Sequence, residues 1–265
     1  MVKRSCHRVT IIQLHRRGLS AREIHRRLGV HRSVIYTGPS SDTKIWEPKR
    51  TGPDEEGPHL WRFEGQQHRL ILFTDEKLFT VEEVLNRQNH RVYAKSNPHV
   101  AVSRSSHPAS VMVFAGVTAD GKTPLWFVPK GVKVNSQNYL DLLKEDLLPW
   151  ARSHFGSRSW TFQQDGAPAH RAAAVQERCN DNFPDFISLQ EWPANSPDLN
   201  PMDYTVWSVL EAKACRKPHR SVDLLKKTLL KAWEELDLTY LRAAVDDFPM
   251  RLKACIEANG DIFEP

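Results

Sequence analysis

The chain has 265 residues and a mass of 30.5 kDa, with 40% hydrophobic and 26% charged residues, as for one globular domain with a small appendage. Its longest unbroken apolar stretch, around 111–115, is too short to cross a membrane, and no apolar run follows the N-terminal charges as in a secretory signal. Four widely spaced cysteines (Cys6, Cys179, Cys215, Cys255) exclude a disulfide framework and a cysteine-based zinc site and suggest a reducing compartment.

The charge is unevenly placed. Of a net +5, residues 1–32 carry +8, nine basic residues against Glu23 alone, which leaves −3 for the rest. Charge by itself fits a polyanion partner or a solvated basic tail equally well. Periodicity favours the first. Val9, Ile12 and Leu14 among Arg8, Arg16 and Arg17 predict a short amphipathic helix ended by Gly18. Ser20-Ala21-Arg22-Glu23 is a capping box that starts a second helix with Ile24 and Leu28 inward, and Gly29 supplies its left-handed end. A third helix begins at Val30. Helix, glycine turn, helix is the helix-turn-helix pattern, whose last helix enters the DNA major groove. His31, Arg32 and Ser33 then stand where base edges are read, and Arg22, Arg26 and Arg27 where phosphates are met. Gly38-Pro39 curtails the third helix. Residues 37–64 read as a Pro/Gly-rich linker that separates a DNA-binding segment, 1–36, from a body at 65–265.

In the body, Leu70-Ile71-Leu72-Phe73-Thr74 predicts a strand buried on both faces and ending at Asp75. Shorter strands are predicted at 79–81 and 91–93. The strands 111–117 and 125–128 flank Asp120-Gly121, a hairpin signal. A helix capped by Asn135 or Ser136 places Tyr139, Leu140, Leu143 and Leu147 on one face. Another buried strand, 160–164, ends at Asp165. A helix at 171–179, a strand at 186–189 and helices at 202–214, 221–236 and 239–257 complete the chain. This order predicts an α/β fold with one mixed sheet covered by helices.

Two buried strands that end in aspartate put carboxylates at one crevice if they are neighbours, although an aspartate after a strand often only caps a turn. A third acid is needed. Asn200 is a good helix cap, Pro201 a good first residue, and Asp203 falls in the first turn, where the helix dipole favours its ionised form. Asp198 is a rival that spacing alone does not exclude.

Three blocks decide the family that the chain resembles. Phe73-Thr74-Asp75-Glu76-Lys77, then Gln163-Gln164-Asp165-Gly166-Ala167-Pro168-Ala169-His170, then Trp192-Pro193 with Ser196-Pro197-Asp198-Leu199-Asn200-Pro201-Met202-Asp203-Tyr204 resemble, in order, the catalytic blocks of mariner-type DNA transposases. The resemblance implies a ribonuclease H-like catalytic domain and a catalytic, metal-binding triad of Asp75, Asp165 and Asp203, with Asp198 in a structural loop. The 37 residues between Asp165 and Asp203 resemble the branch whose triad ends in aspartate.

Further implications are two Mg²⁺ or Mn²⁺ ions, a double-stranded DNA partner (terminal inverted repeats and target DNA), a homodimer on DNA, a nuclear location and insertion at a TA step. Carboxylates suit that chemistry because such ions take oxygen ligands, and paired ions steady the attacking and leaving oxygens of phosphodiester cleavage. Glu76 follows Asp75, so in a continuing strand it points to the opposite face and is given no metal role. His170 reads as a phosphate contact or water-orienting group, or as loop packing. The family usually carries two helix-turn-helix units, and only one is readable here. A transposase, a transposase-derived DNA-binding protein that no longer transposes and a simple metal-dependent nuclease all fit this pattern.

Overall fold

A computed structural model describes residues 66–82, 105, 107–129, 131–132, 134–189, 191–193, 195–258 and 263. The helix-turn-helix segment, its DNA-facing residues (Arg22, Arg26, Arg27, His31, Arg32, Ser33), the linker and the strand expected at 91–93 lie outside these residues.

The centre is strand β1 (Ile71–Thr80), with β2 (Ser110–Thr118) antiparallel on one side and β5 (Thr161–Gln163) parallel on the other. The hairpin expected around Asp120-Gly121 is present: β3 (Gly121–Lys122) and β4 (Trp126–Phe127) both pair antiparallel with β2. Strand β6 (Asp185–Phe186) adds in parallel to β5, giving a mixed sheet in the order β3-β2-β1-β5-β6.

Asp75 does not end its strand but lies in the middle of β1, because the polar run Thr74–Lys77 still pairs with β2, Asp75 opposite Ala115 and Lys77 opposite Val113. What ends is the other neighbour. Pairing with β5 stops at Phe73 opposite Gln163, so β1 projects past β5 and carries Asp75 beyond it. The crevice at the carboxyl end of β5 is therefore still where the first two acids meet.

Strand alternation divides the core. Ile71, Phe73 and Phe79 face one layer, and Leu72 faces the other. The second layer is built from α1 (Ser136–Leu142), capped by the Asn135 side chain, a π-helical turn (Leu143–Leu147) and α2 (Leu148–Phe155), followed after β5 by α3 (Ala173–Asn182). Tyr139, Leu143 and Leu147 are buried there, as their spacing predicts, and Gly156, at φ +58°, allows the chain to turn back after α2.

The first layer begins with a π-helical turn (Met202–Val206) running into α4 (Trp207–Ala214), then α5 (Val222–Glu234), α6 (Leu238–Asp246) and α7 (Phe248–Glu257). The single helix expected over 239–257 is two, because Pro249 lacks the N–H and has a ring that obstructs the preceding turn, so a continuous helix breaks before it. Trp207 and Trp233 anchor this layer, 2% and 1% exposed, with Phe79 edge-on to Trp207 at 5.8 Å. Each such side chain contributes about 1.5–3 kcal/mol on burial. Among the described residues no helix is long and apolar enough to cross a membrane. Cys179, Cys215 and Cys255 are buried in the core.

Candidate active site

Three buried polar residues tie the acid-bearing segments together, standing one, two and three positions before their acids. Thr74 donates its hydroxyl to the Gln163 carbonyl at 2.8 Å, and its amide N–H donates to Gln163 Oε1 at 3.3 Å. That links β1 to β5. Asn200 Nδ2 donates to the Thr74 carbonyl at 3.1 Å while Asn200 Oδ1 accepts the Met202 N–H at 3.1 Å. The cap expected from Asn200 is thus made, and the same amide also fastens the start of the third segment to β1. Thr74, Gln163 and Asn200 are 2%, 0% and 2% exposed, so water does not compete for these bonds.

On this frame Asp75, Asp165 and Asp203 come close enough to act on one another. The Trp207 indole N–H donates to Asp75 Oδ2 at 2.6 Å. Burial, then the negative charges of Asp203 and Glu76, push the Asp75 carboxyl up to about 8, against the Trp207 bond that lowers it. Asp203 sits in the π-helical first turn, where π-turns often mark functional sites. Desolvation of its carboxyl and the charge of Asp165 raise it to about 6, partly opposed by a hydrogen bond with Asp75 and by Lys77. Asp165 behaves differently. Although desolvation acts to raise it, the hydrogen bond and charge of His170 and the Ala167 N–H hold it below the usual carboxylate range.

His170 is inside the site, 2% exposed, with Nδ1 2.6 Å from Asp165 Oδ1 and Nε2 3.1 Å from Glu76 Oε1. Desolvation would lower its basicity, but these two carboxylates raise it to about 10, so the ring is an imidazolium at neutral pH. Both ring nitrogens are thus engaged by carboxylates, so of the readings open from the sequence a phosphate contact would require one of these bonds to give way. Glu76 keeps the strand parity that the sequence implies, yet on its own face of β1 it still reaches His170. The sequence carries no periodic signal for that contact, since it spans 94 residues. Asp75, Glu76, Asp165 and His170 line one cleft of about 340 Å³. Asp198 lies in the preceding turn, where its carbonyl accepts from Arg251.

The donor set suits a hard divalent cation. Its acids are oxygen donors, burial and neighbouring carboxylate charge raise two of them, and side-chain atoms of Glu76, Asp165 and His170 lie within 4.8 Å of one another.

Residues 70–226 match the model of a family described as DDE superfamily endonuclease. The chain belongs to that family. Among curated relatives, this endonuclease is 26% identical over 249 residues to the Tcb1 transposable-element transposase of Caenorhabditis briggsae, covering 92% of this chain and 85% of the relative. It is 30% identical over 200 residues to the Tc3 transposase of Caenorhabditis elegans, covering 74% of this chain and 58% of the relative. Solved neighbours include the Mos1 mariner paired end complex with Mn, with TM-score 0.66 and 19% identity over 100% of this chain and 81% of that one. The catalytic domain of Mos1 mariner transposase follows at TM-score 0.59 and 21% identity, over 77% and 90%. The resemblance to mariner-type transposases carried by the three sequence blocks is borne out, and so is the ribonuclease H-like fold: the endonuclease is a DNA transposase of that type.

Proposed function

We propose that this transposase cleaves DNA at the ends of a transposable element with two divalent ions, Mg²⁺ or Mn²⁺, held by Asp75, Asp165 and Asp203, and transfers the freed 3′ end into target DNA at a TA step. The observation that carries this reading is the crowding of carboxylates in one buried site: burial, with the charges of Asp203 and Glu76, raises Asp75, burial with the charge of Asp165 raises Asp203, and Asp165 stays ionised beside them. Divalent cations would relieve the repulsion among these carboxylates. The Mos1 neighbours, described as paired end complexes with Mn and with Mg and as a strand transfer complex, support the same reading.

The protein's own contribution is positional. Trp207 holds one oxygen of Asp75, the Ala167 N–H and His170 hold one oxygen of Asp165, and the Asn200 cap starts the turn that presents Asp203. Fixed carboxylates lose little rotamer freedom when a substrate arrives. Bound divalent ions supply charge stabilisation to the attacking and leaving oxygens at phosphorus. In the first step a water oxygen forms a bond to phosphorus and the P–O3′ bond breaks, leaving a 3′-hydroxyl. In the second that hydroxyl oxygen attacks a target phosphodiester and the target's own 3′ oxygen departs.

Residues 1–36 serve in this reading as the element-end DNA reader, 37–64 as the linker and 65–265 as the catalytic domain. The active form is a homodimer on double-stranded DNA in the nucleus. The test is an assay of strand cleavage and strand transfer on inverted-repeat duplexes. Cleavage and joining that need Mg²⁺ or Mn²⁺ support the proposal. Cutting without joining identifies a simple nuclease, and full activity in chelator rules out the metal mechanism.

A further inference from the structure

Unlike Asp75 in β1 and Asp203 in a helical turn, Asp165 belongs to no regular element. It lies two residues past the end of β5, in an irregular stretch, with a side chain 42% exposed. A carboxylate so placed would ordinarily sample several rotamers. Instead Oδ1 is clamped twice, by the Ala167 N–H at 3.0 Å and by His170 Nδ1 at 2.6 Å, while Oδ2 has no hydrogen-bond partner among the described residues. One oxygen is locked and the other is presented.

The clamp is only as rigid as His170, and His170 is held on every side. Its ring stacks on Tyr139, with centroids 4.0 Å apart and 30° between planes. Tyr139 is itself buried in the layer behind the sheet, and its hydroxyl donates to Gln164 Oε1 at 2.7 Å. The His170 carbonyl accepts from Gln176 Nε2 at 2.9 Å. The far ring nitrogen rests on Glu76, whose side chain is 14% exposed. Glu76 sits in the middle of a ten-residue strand, opposite Phe114 of β2. A rigid strand, an anchored ring and a clamped carboxylate therefore form one continuous strut across the cleft.

We propose that Glu76 is a positioning residue which, through His170, sets the orientation of Asp165 and so the affinity of the site for divalent cations. The inference rests on the reading of Asp165 as a metal-binding acid. Outer partners that fix a metal-binding side chain usually change metal affinity or activity by about 10- to 100-fold when removed.

The experiment titrates Mn²⁺ into the full chain and follows the free ion by electron paramagnetic resonance, with thermal melting in chelator as a measure of the fold. The variants are Glu76→Ala, Glu76→Gln, His170→Phe, the double variant Glu76→Ala with His170→Phe, and Asp165→Asn. Glu76→Ala is expected to weaken Mn²⁺ binding by about tenfold or more without changing the number of ions bound. Glu76→Gln, which keeps an oxygen to accept from the ring, should stay within about threefold of the native chain, since the bond's geometry is retained. His170→Phe keeps the stack on Tyr139 but not the clamp, and the double variant should be no weaker than the worse single one, because both residues act through one strut.

Loss of a bound ion in Glu76→Ala would make Glu76 a ligand and overturn the proposal. So would Gln as weak as Ala, additive losses in the double variant, or unchanged Mn²⁺ affinity with only a lower melting temperature. If Asp165→Asn also binds Mn²⁺ normally, the metal-binding reading of Asp165 fails and takes this inference with it. If Asp165→Asn loses Mn²⁺ but Glu76→Ala does not, the inference alone fails.

Discussion

Asn200→Ala is the sharpest perturbation of the frame that gathers the three acids. The native amide makes two bonds that no water can replace at 2% exposure: one to the Thr74 carbonyl and one from the Met202 N–H. Truncation removes a helix cap, which costs about 0.5–2 kcal/mol. It also leaves the Thr74 carbonyl without its Asn200 donor, at roughly 1–3 kcal/mol if the group stays dry. The two effects are adjacent and do not add fully, so a loss of about 2–4 kcal/mol is expected. For a domain of this size that lowers the melting temperature by roughly 5–12 °C. Asn200→Ser retains an oxygen to cap the helix but cannot reach Thr74, so it separates the contributions and should fall between the native chain and Ala. Urea denaturation in chelator, with no DNA present, reads both. A loss below about 0.5 kcal/mol for Asn200→Ala, the range of an ordinary surface substitution, would refute the claim that this amide joins the third segment to β1.

Three further outcomes are expected, two from the described residues and one from the sequence of the basic head. Asp75 has a folded pKa raised to about 8, so it contributes stability that is complete below about pH 4 and is lost as pH rises toward 8; Asp75→Asn should flatten that decline in chelator and stabilise the metal-free chain at pH 8, as read by melting temperature against pH. Gly116→Ala would bring a methyl 2.8 Å from Thr74 Cγ2 and 2.9 Å from the Phe73 carbonyl oxygen, so denaturation should show a loss of about 1–3 kcal/mol, and an unchanged midpoint would mean that β1 and β2 yield freely there. Binding of the basic head to DNA should weaken with salt at a slope near −0.9 per phosphate contact; Arg26→Ala should weaken all sequences alike and Arg32→Ala should also relax preference, whereas salt-independent binding would contradict a phosphate-based head.

Much of the catalytic fold was legible because its signals are local. The apolar runs at Ile71–Phe73 and 111–115 mark strands by composition alone, Asn135 and Asn200 mark helix starts, and the spacing of Tyr139, Leu143 and Leu147 marks a buried helical face. The course of β1 through Thr74–Lys77 was not legible, since those four polar residues owe their extended form to pairing with β2 rather than to their own pattern. The break between α6 and α7 was available in Pro249 but was masked by apolar residues that keep helical spacing on both sides. In the site, the three aspartates could be placed from flanking motifs. The Glu76–His170–Asp165 strut could not, because its members come from two distant segments and a histidine in a loop carries no periodicity.

The central claim is that Asp75, Asp165 and Asp203 share a divalent-metal site, and anomalous diffraction from crystals grown with Mn²⁺ tests it most directly. Two anomalous peaks roughly 3.5–4 Å apart, each bonded to oxygens of these aspartates, are the predicted result. Peaks confined to other residues, or saturating Mn²⁺ with no peak within bonding distance of Asp75 and Asp165, would contradict it.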